Sequence, residues 1–323
     1  MPAMAQSNAI ALGVTCALLA STAFTLNDVG VKFLTDGYAL HQIILVRSTV
    51  AALLTLMIIM PLEGGWALLK TSKLRIHLLR GLAVTVANMA FFMGLAAMPL
   101  SETTAIFFVS PMIVTAFSVI FLKEKVGPWR WFAVIAGLAG ALVIIRPGTQ
   151  AFQPAAILPV IAATCYAALH MLTRAIGKTE KASTMAIYSQ FVFFCVSATV
   201  GIIAGQGQFA TDIHPSLTFL TRAWEFPTRT DLIIMAATGI SSAAGGYFIS
   251  QAYRQCEAAV IAPFEYAALV LALVWGVLIF GEWPDPIVWA GIALIFASGL
   301  LMVWREGVKK RKVKATARVR TAA

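Results

Sequence analysis

The sequence predicts an all-α polytopic membrane protein with ten transmembrane helices in two inverted five-helix repeats. Three observations carry this: apolar runs recurring along the whole chain, a one-sided distribution of lysine and arginine, and motifs repeated at fixed offsets. Of the 323 residues, 60% are hydrophobic and 12% charged, whereas roughly a quarter of a soluble domain is charged. A water-soluble fold could not bury so much apolar surface. The runs are roughly 18 to 23 residues long, and about 20 residues cross a ~30 Å hydrocarbon core at 1.5 Å per residue.

In chain order, runs bounded by charge or turn residues predict helices over 9–33, 40–60, 78–98, 101–122 and 128–145, then over 154–172, 184–204, 232–253, 258–280 and 286–304. The first eight residues lack a basic region and no small-residue cleavage site follows, so the first segment is read as retained. Residues 1–150 then form the first repeat, 151–304 the second, and 305–323 a basic cytoplasmic tail.

Orientation follows from the bias of basic residues toward the cytoplasm. With the N-terminus inside, Lys70, Lys73, Arg75, Arg80, Lys123, Lys125, Arg130, Arg174, Lys178, Lys181, Arg254 and the basic tail are all cytoplasmic. The external connections hold only Lys32, Arg146, Arg222 and Arg229. Both termini are therefore expected in the cytoplasm of a multi-pass cell-membrane protein, in a bacterial inner membrane. The tail is expected to attract anionic lipid, at about 1 kcal/mol per basic residue near the surface. Tethered there, it is not read as binding nucleic acid.

Phe121-Leu-Lys-Glu124, Pro128 and Trp131 align with Phe280-Gly-Glu282, Pro286 and Trp289, the Glu, Pro and Trp all sharing an offset of 158. Phe24, Asp28 and Lys32 align with Tyr166, His170 and Arg174 at an offset of 142, the difference being absorbed by the longer 206–230 loop. An odd number of spans per half requires the second half to be inverted. Such repeats typify secondary transporters, with a midplane site between the halves.

Ionisable groups inside spans cost about 2.5 to 3.5 kcal/mol each and face the protein interior or a wet cavity. Asp28, Arg47 and Glu265 are such groups. Asp28 and Arg47 both fall in the outer half and are expected to pair, either as a static tie or as a gating or substrate contact. Glu265 follows Pro263 near the midplane and is read as contacting substrate or a coupling proton, with a structural hydrogen bond as the alternative. Phe24 with Asp28, and Tyr166 with His170, lie four apart and share helix faces, which are expected to line a central cavity. Asn88, Phe107, Ser110 beside Pro111, Tyr247 and Tyr266 complete the candidate lining. Ser241/Gly245 and Ser242/Gly246 allow close helix approach. Glu124 and Glu282 are read as structural anchors at span ends, with Trp131 and Trp289 in the interfacial belt.

Several classes are disfavoured. There is no Walker-type phosphate loop, His41, His77, His170 and His214 lie on different elements, and Cys16, Cys165, Cys195 and Cys256 are scattered singly without metal spacing. Neither an enzyme nor a cofactor or metal site is expected.

Lys32 ending the first helix, Leu45-Val-Arg47, the Thr104 to Pro111 segment leading to Leu122-Lys-Glu124, Arg146-Pro-Gly148, Phe280-Gly-Glu282, Gly291 and Gly299 together resemble the drug/metabolite transporter superfamily, in its EamA-type ten-helix branch. The resemblance covers roughly residues 9 to 304. Lys123 stands where the pattern usually has glycine, and Tyr266 where it often has proline. The resemblance implies a secondary transporter of a small organic metabolite, with riboflavin uptake and S-adenosylmethionine uptake among the family's activities. An aromatic lining with few charges suits a planar, weakly charged compound, whereas a phosphate-rich one would want more arginine. Riboflavin uptake is the named expectation. The alternatives are S-adenosylmethionine, amino acids or other metabolites, imported or exported, and, outside transport, a membrane scaffold or receptor. The partners are a small-molecule substrate and membrane lipid, with a coupling proton and a homodimer left open.

Overall fold

The computed structural model describes residues 2–123, 127–176, 180–255, 261 and 264–301. Glu124, Lys125, Lys178, Cys256, Pro263 and the 305–323 tail lie outside the described residues, as do the side chains of Arg130, Arg174 and Arg254. Regular structure among the described residues is helical. The first half comprises α1 (Pro2–Leu34), α2 (Leu40–Leu54, continuing through a π turn at Thr55–Ile59 to Glu63), α3 (Leu74–Leu95), α4a (Leu100–Phe107), α4b (Ser110–Leu122) and α5 (Pro128–Ile145). The second comprises α6 (Ile157–Ile176), α7 (Ala182–Ala204), α8 (Arg229–Gln255), α9 (Ala267–Phe280) and α10 (Pro286–Leu301). Among the described residues, seven helices are long and apolar enough to cross a membrane, and three shorter apolar helices lie within α5, α9 and α10. Large apolar residues such as Ile202, Leu278 and Ile135 are exposed on them, as a lipid-facing surface requires.

The segment predicted as one helix over 101–122 is broken. Pro111 has no N–H to give the Phe107 carbonyl, the chain tightens at Phe108 and Val109, and α4b starts afresh at Ser110. Its counterpart at offset 158 behaves alike: a turn at Tyr266 precedes α9. The broken helices thus interrupt at equivalent positions, and the rings of Phe108 and Tyr266 touch, with centroids 5.0 Å apart.

The packing is reciprocal under exchange of the halves. A Cβ on Gly81 of α3 would stand 2.8 Å from the Val192 Cβ of α7; one on Gly239 of α8 would stand 2.7 Å from the Val50 Cβ of α2 and 2.8 Å from the Arg47 carbonyl oxygen. Gly239 and Gly81 differ by 158, Val192 and Val50 by 142. Gly94 of α3 likewise abuts Pro159 of α6, while their counterparts Ala252 of α8 and Ala17 of α1 share one buried cluster. Helices α1 with α8 and α3 with α6 accordingly form the two most extensive helix pairs.

Each end is tied by loops of opposite halves. At the α1 C-terminal end, Gln42 exchanges bonds with the Glu225 backbone (2.5 and 3.2 Å), Arg222 donates to the Thr35 carbonyl (2.9 Å), and the Tyr38 hydroxyl donates to Asp231 (2.7 Å). At the other end, Thr184 and Tyr188 donate to the Leu68 and Leu69 carbonyls (2.9 and 2.8 Å), and buried His77 lies 3.3 Å from Glu180.

Candidate functional site

The candidate residues gather around the two helix breaks. Arg47 projects from α2 and is buried, with a relative exposure of 2%. Its guanidinium lies between the rings of Phe92 and Phe193, 5.2 Å from each centroid, a cation–π arrangement that offsets part of the cost of burial. Nη2 donates to Asn88 Oδ1 of α3 (3.1 Å) and Nη1 to Asn27 Oδ1 of α1 (3.5 Å). Nε has no hydrogen-bond partner among the described residues.

The expected direct pair between Asp28 and Arg47 is replaced by a relay. Successive helical residues project about 100° apart, so Asn27 is buried toward α2 while Asp28 turns aside, half-buried. The Asn27 amide donates to Asp28 Oδ1 (3.0 Å) while its carbonyl accepts from Arg47. The two charges still act on each other electrostatically.

From Arg47 a chain of aromatic contacts runs to the other half. Ring centroids are 5.6 Å apart for Phe92 and Phe91, 5.3 Å for Phe91 and Phe107, 5.2 Å for Phe107 and Tyr166, and 4.6 Å for Tyr166 and His170, all within the range of favourable tilted or edge contacts. A branch passes from Phe107 through Phe108 to Tyr266 and Phe296. Phe108 and Tyr266 are repeat equivalents in contact, where the two halves meet. Glu265, repeat equivalent of Phe107, is half-buried and acts electrostatically on Tyr166 and Tyr266.

Seven candidates are therefore connected: Asp28, Arg47, Asn88, Phe107, Tyr166, His170 and Glu265. Ser110 is buried where α4b begins. Phe24 instead packs its ring on Gly245 of α8, and the ring contact of Tyr247 is with its neighbour Phe248 (5.8 Å). The sequence reading passed over Asn27, Phe91, Phe92, Phe108 and Phe193. Asn27 had a usable signal, as an amide next to an intramembrane carboxylate; the phenylalanines had none, since apolar rings fill any span.

At the α1 C-terminal end, Glu282 is more than an anchor. Its carboxylate pairs with Lys32 and accepts the Leu100 N–H at 2.8 Å, which caps α4a. Beyond the spans, Arg146 pairs with Asp285, whose carboxyl also accepts from the Ile287 and Val288 amides at the start of α10 (2.9 Å each). This holds the Asp285 carboxyl below its ordinary range. No group of three or more metal-ligating side chains occurs among the described residues.

Comparison with known proteins agrees with this architecture. A solved structure with 18% sequence identity shares the fold, with a TM-score of 0.61 over 91% of this chain and 96% of that one. The riboflavin transporter of Rhizobium johnstonii is 29% identical over 248 residues, covering 77% of this chain and 76% of that protein. The S-adenosylmethionine uptake transporter of Rickettsia felis is 26% identical over 296 residues, covering 91% and 93%. The riboflavin transporter of Vibrio cholerae is 28% identical over 247 residues, covering 76% of each chain. Residues 11–146 and 153–304 each match the EamA-like transporter family, and with both halves matched, this multi-pass membrane protein belongs to that family of small-metabolite transporters.

Proposed function

We propose that this chain takes up riboflavin by alternating access between two inverted halves, with all ten apolar helices crossing the membrane. The observation that carries the reading is the aromatic chain from Phe92 through Phe107 to Tyr166, which ends at one side on the buried Arg47 with its amide partners. Ring surfaces gathered where the halves meet offer apolar contact to a planar tricyclic solute when the halves part, and an arginine N–H with two carboxamides suits the carbonyl and imide edge of such a solute. Reciprocal contacts at offsets of 142 and 158 support halves related by a two-fold axis, and an odd number of spans per half supports their inversion. The lysine and arginine distribution supports cytoplasmic termini in a bacterial inner membrane. A gradient, with Glu265 or Asp28 as the group taking a proton, supplies the energy. The chain performs no catalysis.

A second reading, S-adenosylmethionine, is favoured by the fuller coverage of those relatives and by the carboxylates of Asp28 and Glu265, which suit a cationic solute. Expression in a riboflavin-auxotrophic host separates the two. Growth on trace riboflavin that excess S-adenosylmethionine leaves intact supports the first reading; no rescue despite expression in the membrane removes it.

A further inference from the structure

The Lys32–Glu282 pair lies at the end of the bundle, away from Arg47. Three parts of the protein meet in it. Lys32 is in the last turn of α1, and its ammonium also donates to the Met98 carbonyl (3.0 Å) at the α3–α4a corner. Glu282 belongs to the α9–α10 corner, and its second oxygen holds the Leu100 amide of α4a. The aromatic surfaces close over the pair: Lys32 lies 5.2 Å from the Phe280 centroid, and Phe33 is 5.1 Å from Phe280. Asp28 lies one helical turn back from Lys32, and next to Leu100 on α4a come the buried hydroxyls of Ser101 and, one turn on, Thr104, which have no hydrogen-bond partner among the described residues.

We propose that the Lys32–Glu282 pair is a latch closing the central site at the α1 C-terminal end, and that it parts in each transport cycle. This rests on the transport reading. The side chains are only 12% and 20% exposed, so each charge needs either the other or water. An intermediate separation offers neither, which favours two discrete arrangements, paired and shut or hydrated and open. The sequence supports a moving role. The repeat equivalents of Lys32 and Glu282 are Arg174 and Glu124, a base and an acid again, although Glu124 and the Arg174 side chain lie outside the described residues. The neighbouring Arg146–Asp285 pair makes the contrast: its equivalents are Trp304 and Gly127, which carry no charge, and its Asp285 side chain is 49% exposed. A two-state transporter needs the first kind of pair at both ends in turn, and a static brace needs it at neither.

The test uses full-length protein in nanodiscs, with the four cysteines replaced by serine or alanine and Ser101→Cys as reporter for a polar thiol reagent. Glu282→Gln keeps an acceptor for the Leu100 amide and removes the charge; it should raise the labelling rate about fivefold or more, while Asp285→Asn leaves it unchanged. Lys32→Gln should reproduce the rise, and serves if Glu282→Gln yields no folded protein. Equal labelling of Glu282→Gln or Lys32→Gln and the parent would overturn the latch, as would an equal rise in Asp285→Asn. A second arm bridges Lys32→Cys and Glu282→Cys with a short bifunctional thiol reagent, which fills the gap left by shortening both side chains. Bridging should abolish uptake reversibly, and uptake undiminished by complete bridging would overturn the proposal. Labelling needs no substrate, so failure of the riboflavin reading would show separately, as absent uptake by the unbridged parent.

Discussion

Arg47→Lys keeps the charge of Arg47 and removes its fork. The shorter ammonium cannot reach both Asn88 and Asn27, nor spread between Phe92 and Phe193, so the structure specifies the loss: one interhelical hydrogen bond and the two ring contacts. An interhelical bond in a membrane protein averages about 0.6 kcal/mol and reaches about 1.7, and a cation–π contact contributes about 0.5–1 kcal/mol at modest desolvation. Together these predict a loss of roughly 2 kcal/mol, about thirtyfold in the folding equilibrium. Unfolding by dodecyl sulfate in mixed micelles, followed by circular dichroism, measures it. A cycle with Asn88→Ala isolates the pair and should give a coupling of about 0.6 kcal/mol or more. Stability of Arg47→Lys unchanged to within about 0.3 kcal/mol, with strictly additive single mutants, would refute the network.

Gly81→Ala and Gly239→Ala occupy equivalent contacts and should each cost about 1–3 kcal/mol by overpacking; closely matched shifts in the same unfolding assay support the two-fold relation, and one silent substitution beside one severe one contradicts it. Tyr166→Ala should raise the KM for riboflavin uptake about tenfold through lost ring contact, with thermal stability read alongside to separate binding from folding. Arg146 and the α10 amides hold the Asp285 carboxyl down, so the stability this group contributes is present above pH 3.8, its unfolded value, and disappears as pH falls through the folded value. The difference in melting temperature between the parent and Asp285→Asn should therefore vanish in acid, and a gap that persists or widens there argues against the pair.

Helix positions were legible because hydrocarbon thickness imposes a length on every apolar run. The repeat was legible because Glu124, Pro128 and Trp131 recur as Glu282, Pro286 and Trp289 at one offset. The break at Phe108 was half legible: Pro111 deprives the Phe107 carbonyl of a partner, yet hydropathy runs unbroken through it, and continuity of composition hides discontinuity of hydrogen bonding. Proximity of Asp28 and Arg47 also followed from depth alone. Depth along an axis does not fix rotation about it, however, and rotation decided that Asn27 faces the guanidinium. The same degree of freedom turned Phe24 onto Gly245 although its equivalent Tyr166 meets Phe107. Lys32 and Glu282 were read separately, as a topology signal and an anchor, because 250 residues separate them in sequence and only the three-dimensional fold reveals the pair.

Flux through the purified protein tests the account at its centre. Proteoliposomes loaded with unlabelled riboflavin should accumulate labelled riboflavin by counterflow, saturably, with excess S-adenosylmethionine failing to compete and Tyr166→Ala impairing the signal. Absence of counterflow by folded, correctly inserted protein, or counterflow of S-adenosylmethionine alone, would contradict the substrate and the aromatic path assigned to it.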